Sequence, residues 1–303
     1  MDSRVRAKKS LGQHFLTDQS IAQAIVDALG KQLLLSDKSA SADRPARDFR
    51  DESWKGFKAA GGSGESYSPV LEVGPGMGVL TQYLLQREDI DLKLVEIDGE
   101  SVDYLLTHFP GIQGKLLQAD FLRLPLEKYF PGQFRIIGNF PYNISSQIFF
   151  KVLDYRDRIP EVVGMVQKEV AERLAEKPGS KTYGILSVLL QAWYDIEYLF
   201  TVGSGAFAPP PKVQSAVIRL RRNARTDLGC DEALFKTIVK TSFGQRRKTL
   251  RNSLKPLLKA KAEREGWDES QLAVFSADPV FDLRPERLGV EDFIALTNRL
   301  SCQ

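Results

Sequence analysis

The chain has 303 residues, of which 43% are hydrophobic and 27% charged, with a formal net charge of +3. Such a chain can bury a sizeable core, and its length favours one large domain with a smaller companion. Two cysteines and two histidines argue against a disulfide scaffold, a zinc site and a Cys–His nucleophile, and no apolar run approaches the ~18 residues that suggest a membrane span.

The basic opening "MDSRVRAKKSLGQHFL" is followed by no signal-type apolar run, so a cytoplasmic location is expected. "SIAQAIVDALG" has the spacing of an amphipathic helix, with Ser20 as cap and Gly30 as stop. Residues 36–68 then turn polar and aperiodic, rich in Ser, Gly, Asp and Arg, and read as an inserted, mobile loop. Strands follow at 70–74, 92–98, 115–120, 134–139 and 161–167, with helices at 78–87, 100–109, 145–155 and 168–177 between and after them. That rhythm predicts an α/β fold with a mostly parallel sheet covered on both faces. Residues 196–203 and 213–221 flank the Pro-rich "AFAPPPK" and read as a late antiparallel pair added to the sheet. From about residue 224 only helices are expected, at 231–243, 246–263 and 289–300. The expected division is therefore 1–223, an α/β domain, and 224–303, an all-α domain.

"LEVGPGMGVL" places Gly74, Gly76 and Gly78 between a strand and a helix, where glycine allows a sharp turn and close approach of a ligand. A tight strand–helix connection would use the same residues. Glu96 ends the next strand, where a carboxylate can accept ribose hydroxyls, and Asp120 ends the third, where an acid can accept from an adenine amino group. A dinucleotide site would use a similar crevice, but its fingerprint is G-x-G-x-x-G, whereas the spacing here is G-x-G-x-G. "VGPGMGVLT" with "VEID" and "QAD" resembles instead the methyltransferases that use S-adenosylmethionine, a cofactor without phosphates.

"IIGNFPYN" puts Asn139 at the end of the fourth strand, on the same edge as Gly74, Glu96 and Asp120. An adenine N6 amine is a poor nucleophile because its lone pair is delocalised into the ring. An amide carbonyl at Asn139 and a backbone carbonyl near Phe140 or Pro141 could accept both N–H groups and favour a pyramidal nitrogen. Tyr142 is placed to stack on the base. A turn residue and a core tyrosine would also satisfy these four positions taken alone.

"GNFPYNISSQI" matches the N-x-P-Y motif of amino-group methyltransferases, and four further stretches accompany it: "KKSLGQHFL", "GAFAPPPKVQSAVIRL" at 205–220, "SFGQRRKTLRNSL" at 242–254 and "LRPERLGVEDFIAL" at 283–296. Together they resemble the small-subunit ribosomal RNA adenine dimethyltransferases, in that family's order and over nearly the whole chain except 36–68. The resemblance implies a class I, Rossmann-like S-adenosylmethionine-dependent methyltransferase sheet with a smaller C-terminal all-α domain that binds RNA. It implies cofactor contacts from His14, Leu16, Gly74, Gly76, Glu96, Asp120 and Asn139. His14 stands where the family more commonly has asparagine, so its backbone, its side chain or both could serve. Asn139 and Tyr142 would hold the target base, with Phe207 sandwiching it from the other side. The implied reaction moves two methyls to N6 of each of two adjacent adenosines in the 3′-terminal hairpin of small-subunit rRNA, with no metal. The implied partner is that rRNA within an immature subunit, and the protein is expected to act as a monomer away from membranes.

Eight basic residues and no acidic one lie between Lys236 and Lys259. Arg247, Arg251, Lys255 and Lys259 recur at four-residue steps, so one helix face is expected to track phosphates. Arg246, Arg247, Lys248 and Arg251 are the expected RNA contacts. Competing readings are a large-subunit rRNA adenine methyltransferase conferring antibiotic resistance, a non-catalytic ribosome-assembly factor, and a nicotinamide-dependent dehydrogenase.

Overall fold

The computed structural model describes Val5, Ala7, Lys8 and residues 11–30 and 68–301. The 36–68 insertion, apart from Ser68, lies outside the described residues, as do Arg4, Arg6 and Lys9 of the basic opening.

The chain divides into two compact units, the first formed by residues up to Lys168 with Glu197–Arg221, the second by Glu169–Ile196 with Arg222–Gln303. The expected single boundary at 223 thus misses an exchange: residues 169–196 cluster with the C-terminal helices rather than with the sheet.

In the first unit a two-residue strand β1 (Phe15–Leu16) precedes helix α1 (Gln19–Ala28). Then come β2 (Ser68–Val73), α2 (Thr81–Leu84), β3 (Ile90–Glu96), α3 (Gly99–His108), β4 (Leu116–Gln118), α4 (Leu126–Tyr129), β5 (Arg135–Asn139), α5 (Ser145–Asp154) and β6 (Glu161–Gln167). After the stretch assigned to the second unit, α6 (Lys168–Ala175) and α7 (Ile185–Gln191), the sheet is completed by β7 (Tyr194–Val202) and β9 (Ser215–Arg222), with the short β8 (Phe207–Ala208) between them. The seven-stranded order is β4-β3-β2-β5-β6-β9-β7. The pairs β3–β4, β2–β3, β2–β5 and β5–β6 are parallel and β9 runs antiparallel to β6. The order reverses between β2 and β5, and ligands of open α/β sheets bind outside the carboxyl ends of the strands at such a switch point. Gly74 follows β2 and Asn139 ends β5 at that point.

The strands form because they are near-continuous apolar runs, as a sheet covered on both faces requires. Val70, Leu92, Leu94, Ile137, Val163, Met165 and Val217 are buried together. Local caps set the edges of elements. Asp18, rather than Ser20, caps α1, its Oδ1 accepting from the Ser20 and Ile21 amides at 3.0 and 3.2 Å. The expected helix at 78–87 contracts to α2, because residues 77–80 are turns.

In the second unit, α8 (Glu232–Gly244) packs against α7, α9 (Leu250–Ser253) and α12 (Val290–Leu300). Helices α10 (Lys255–Glu265) and α11 (Glu269–Ser276) lie between α9 and α12 in sequence. The single helix expected over 246–263 does not exist. Residues 245–248 form a turn, and the chain breaks again at Leu254, because Pro256 has no N–H to continue α9 and instead opens α10. Helix α7 was not anticipated. No helix among the described residues is long and apolar enough to cross a membrane.

Candidate active site

A cavity of about 200 Å³ opens at the switch point. Its walls come from the N-terminal segment 11–16, the loop after β2, the ends of β3 and β5, and residues 119–122.

The loop after β2 supplies the floor. Gly74 and Gly76 have φ of +68° and +57°, a region that side chains disfavour. A Cβ on Gly76 would also stand 3.1 Å from the Phe15 ring, so only glycine lets the N-terminal segment close down here. The Gly76 amide donates to Glu96 Oε2 at 3.0 Å, while Glu96 Oε1 accepts from the Ile97 and Asp98 amides, both at 2.9 Å. Two lone pairs are thereby used on Oε1 and one on Oε2, which leaves Oε2 one acceptor position toward the cavity. Burial pushes the Glu96 carboxyl above its ordinary range, against the opposing pull of those amides.

Glu72, on β2 two residues before Gly74, is 1% exposed. Thr81 donates to its Oε2 at 2.7 Å, but Oε1 is buried on the cavity wall without a hydrogen-bond partner. Burial, with Glu96 nearby, raises its pKa to about 8. Asp120 reaches the cavity beyond β4 and caps the short 3₁₀ turn Phe121–Arg123, its Oδ1 accepting from the Leu122 amide at 2.9 Å.

Asn139 is positioned by its neighbours. Its Nδ2 donates to the His14 carbonyl at 3.1 Å, which turns Oδ1 away from that contact and leaves it as the acceptor available to a ligand. Phe140 is the anchor: 1% exposed, edge-on to Phe149, and seated where a Cβ on Gly164 would lie 2.4 Å from its ring and one on Gly138 2.9 Å. With that ring sunk in the sheet, Asn139 and Tyr142 are held at its rim. The Pro141 carbonyl accepts from the Ile144 amide at 3.2 Å, so of the two backbone carbonyls expected to serve the amine, Phe140's is the one not closing this turn. The Tyr142 hydroxyl bonds the Ser215 hydroxyl at the buried start of β9, and burial raises the phenol's pKa. This bond fixes the hydroxyl end of the tyrosine ring.

The N-terminal segment is tied down at several points. Lys8 pairs with Asp98 and, at 3.1 Å, with Glu100. His14 Nδ1 donates to the Pro209 carbonyl at 3.0 Å, and its ring lies 5.3 Å from that of Tyr142. The backbone of His14 thus serves Asn139 while its side chain serves the 207–211 loop. Leu16 lines the cavity and pairs with Phe207 through β1 and β8.

That register decides Phe207. It is 4% exposed, packed in the core with Leu16 and Val202, and is not on the cavity wall. The expected sandwich of a base between Tyr142 and Phe207 is not assembled in this structure; the ring near Tyr142 is His14. Sequence reasoning also missed the anchoring role of the Phe140 ring, whose carbonyl alone it had named, and the roles of Phe15 and Ser215 at the site. The last stands inside the quoted "PPPKVQSAVIRL", which was the available signal.

The basic residues are likewise divided. Arg246 donates to the Ser180 carbonyl at 3.1 Å, and Arg251 pairs with Asp282 at 2.6 Å and bonds the Ser276 carbonyl. Both guanidinium groups are engaged within the second unit. Arg247 and Lys248, in the turn after α8, are exposed. Among the described residues no cluster of three or more His, Cys, Asp or Glu could hold a metal ion.

A glycine loop whose positive φ values disfavour side chains, a carboxylate with one open acceptor position, an orphaned buried carboxyl oxygen and an acid at the far end fit an adenosyl group carrying an amino-acid tail. Fold and site together define a class I, Rossmann-like S-adenosylmethionine-dependent methyltransferase with an additional all-helical unit. The chain matches the family described as "Ribosomal RNA adenine dimethylase" over residues 4–274, and it belongs to that family. It is 57% identical over 293 residues to the "Ribosomal RNA small subunit methyltransferase A" of Parabacteroides distasonis, covering 97% of this chain and 93% of that one. It is 53% identical over 296 residues to the protein of the same name from Porphyromonas gingivalis, covering 97% of each. Among solved structures, a dimethyladenosine transferase from Plasmodium falciparum superposes with TM-score 0.62 at 22% identity, over 82% of this chain and 92% of that one. The 23S rRNA methyltransferase ErmE superposes with TM-score 0.56 at 24% identity, over 94% and 99%. These two likenesses establish the fold.

Proposed function

We propose that this chain transfers methyl groups from S-adenosylmethionine to N6 of two adjacent adenosines in the 3′-terminal hairpin of small-subunit rRNA, during assembly of the subunit. The observation that carries the reading is the pinned Asn139 amide, whose free Oδ1 faces the cavity beside the glycine loop. Family membership and the small-subunit relatives support the choice of RNA.

When bound, S-adenosylmethionine supplies an electrophilic methyl on a sulfonium. Gly74 and Gly76 would lie against it, Glu96 Oε2 would take a ribose hydroxyl, and Asp120 would accept from the adenine amine. Leu16 and the His14 backbone would close over the other end. The chain's task is then to present the target amine. In the first transfer Asn139 Oδ1 and the Phe140 carbonyl accept its two N–H groups, and in the second one of them accepts the remaining N–H, which draws the nitrogen toward a pyramidal shape and directs its lone pair at the methyl donor. Tyr142, held by Ser215, stacks on the extruded base, an interaction worth ~1–3 kcal/mol. One N–H proton leaves to water with each methyl gained. Positioning of this kind accounts for the rate without a covalent intermediate.

Arg247 and Lys248 are the exposed cations that would contact RNA phosphates, while Arg246 and Arg251 act within the protein. The working state is a cytoplasmic monomer bound to an immature small subunit. Incubating the protein separately with immature small subunits and with immature large subunits, and mapping methylated positions in each rRNA by mass spectrometry, tests the reading. Dimethyladenosine confined to the small-subunit hairpin is the expected result; large-subunit products or binding without turnover would overturn it.

A further inference from the structure

The helix behind the target-base motif carries a charge that the reaction does not use. Lys151, on α5, is 8% exposed. Its ammonium donates to the Leu122 carbonyl at 3.0 Å and to the Leu124 carbonyl at 2.5 Å. It lies 5.3 Å from the centre of the Phe121 ring and 5.7 Å from that of Tyr155. Tyr155 in turn donates to Glu127.

A buried ammonium costs several kcal/mol of desolvation unless its donors are well used, and an apolar side chain of similar length would avoid that penalty. Here the donors serve two carbonyls of one short stretch, residues 122–124, immediately after Asp120. From the chain side, that stretch is tied to Asp120 by the Leu122 amide. Asp120, Phe121 and Leu122 are the cavity wall at the end where the adenine of the cofactor would lie. Burial lowers the amine's pKa, and Glu127, Asp120 and Asp154 oppose that effect.

We infer that Lys151 is a positioning residue that fixes the 120–124 loop from behind, and thereby sets the preference of the cofactor site for a base bearing an N6 amine. The inference rests on the reading of Asp120 as the acceptor of that amine. It makes α5 a two-sided element: its start follows the motif that presents the target base, and its last turn shapes the pocket for the cofactor's base.

The test is a binding comparison and needs no turnover. S-adenosylhomocysteine and its analogue with purine in place of adenine, which lacks only the N6 amine, are titrated calorimetrically into the wild type, Lys151→Met and Asp120→Asn. A hydrogen bond to a charged group is worth ~1.5–3 kcal/mol, so the wild type should prefer the amine-bearing ligand by roughly 10–100-fold. Lys151→Met keeps the unbranched stem without the ammonium and should reduce that preference to about threefold or less. Its penalty for the 2′-deoxyribose analogue, read at Glu96, should stay as in the wild type. A merely structural role would weaken all three ligands alike. If Lys151→Met does not fold, Lys151→Gln, which retains an N–H donor on a shorter stem, should show an intermediate preference. A wild-type preference retained in the lysine variant but lost in Asp120→Asn would overturn the role of Lys151 alone. A preference that survives Asp120→Asn, or is missing in the wild type, would overturn the reading of Asp120 and the inference with it.

Discussion

Glu72 makes the stability of this protein depend on pH in a direction opposite to that of an ordinary carboxylate. Its carboxyl is buried with one oxygen unpaired, and its pKa moves from 4.5 to about 8. The unfolded chain releases this proton near pH 4.5, whereas the folded protein keeps it until about pH 8. Between those values the unfolded state binds fewer protons, so stability falls as pH rises and levels off above the folded pKa. At ~1.4 kcal/mol per tenfold, the whole effect is on the order of 5 kcal/mol, of which about half falls between pH 6 and pH 8.5. Glu72→Gln keeps the acceptor for Thr81 and removes the titration. Urea unfolding of the cofactor-free protein, followed by circular dichroism at pH 6, 7, 8 and 8.5, should show the variant gaining on the wild type at each step. A difference between the two proteins that is constant to within about 0.5 kcal/mol would refute the reasoning and mean that water or a cation satisfies Oε1 in solution.

Asn139→Asp sets an acceptor oxygen against the His14 carbonyl, and kcat for methyl transfer should drop by ~10²–10³ with the fold intact, as loss of one preorganised polar contact does elsewhere; stopped assays on immature subunits read this out. Gly164→Ala drives a methyl into the Phe140 ring, and should destabilise the protein by ~1–3 kcal/mol in urea melts while lowering activity at the motif above it. Replacing both Arg247 and Lys248 by Gln should reduce the slope of log affinity against log salt by ~0.7 per lost phosphate contact on single-stranded RNA. Arg251→Gln should leave that slope unchanged and instead lower the melting temperature. Ser215→Ala frees the Tyr142 hydroxyl and should raise KM for RNA more than it lowers kcat, measured in steady-state methylation.

The strands around the site were legible because each is a short apolar run ending in a distinctive residue: glycine after β2, Glu96 in β3, Asn139 in β5. What stayed hidden depends on register. Gly138 and Gly164 become one floor only because β5 and β6 align them as partners, and nothing local to either glycine signals the Phe140 ring above them. Phe207 looks like a free aromatic in a Pro-rich loop until two residues of pairing with β1 turn it into the core. The basic run at 246–259 follows a helical repeat on paper, yet Pro256 splits it, and nearby carbonyls and Asp282 claim two of its arginines. The exchange of residues 169–196 between units has no compositional marker at all: α6 reads as an ordinary continuation of the βα rhythm, and α7 carries no signal that sets it apart.

The strap formed by β1 and β8 joins groups that are far apart along the chain: His14 and Pro209 are separated by 195 positions. Closing so long a loop is entropically unfavourable but only weakly dependent on length. On a translating ribosome the roof of the pocket therefore cannot be laid until the Pro-rich loop has emerged, well after every strand that shapes the floor. Competence for chemistry arrives late in vectorial synthesis, and a nascent chain stalled before that loop would hold a half-built pocket whose N-terminal segment lacks its anchor.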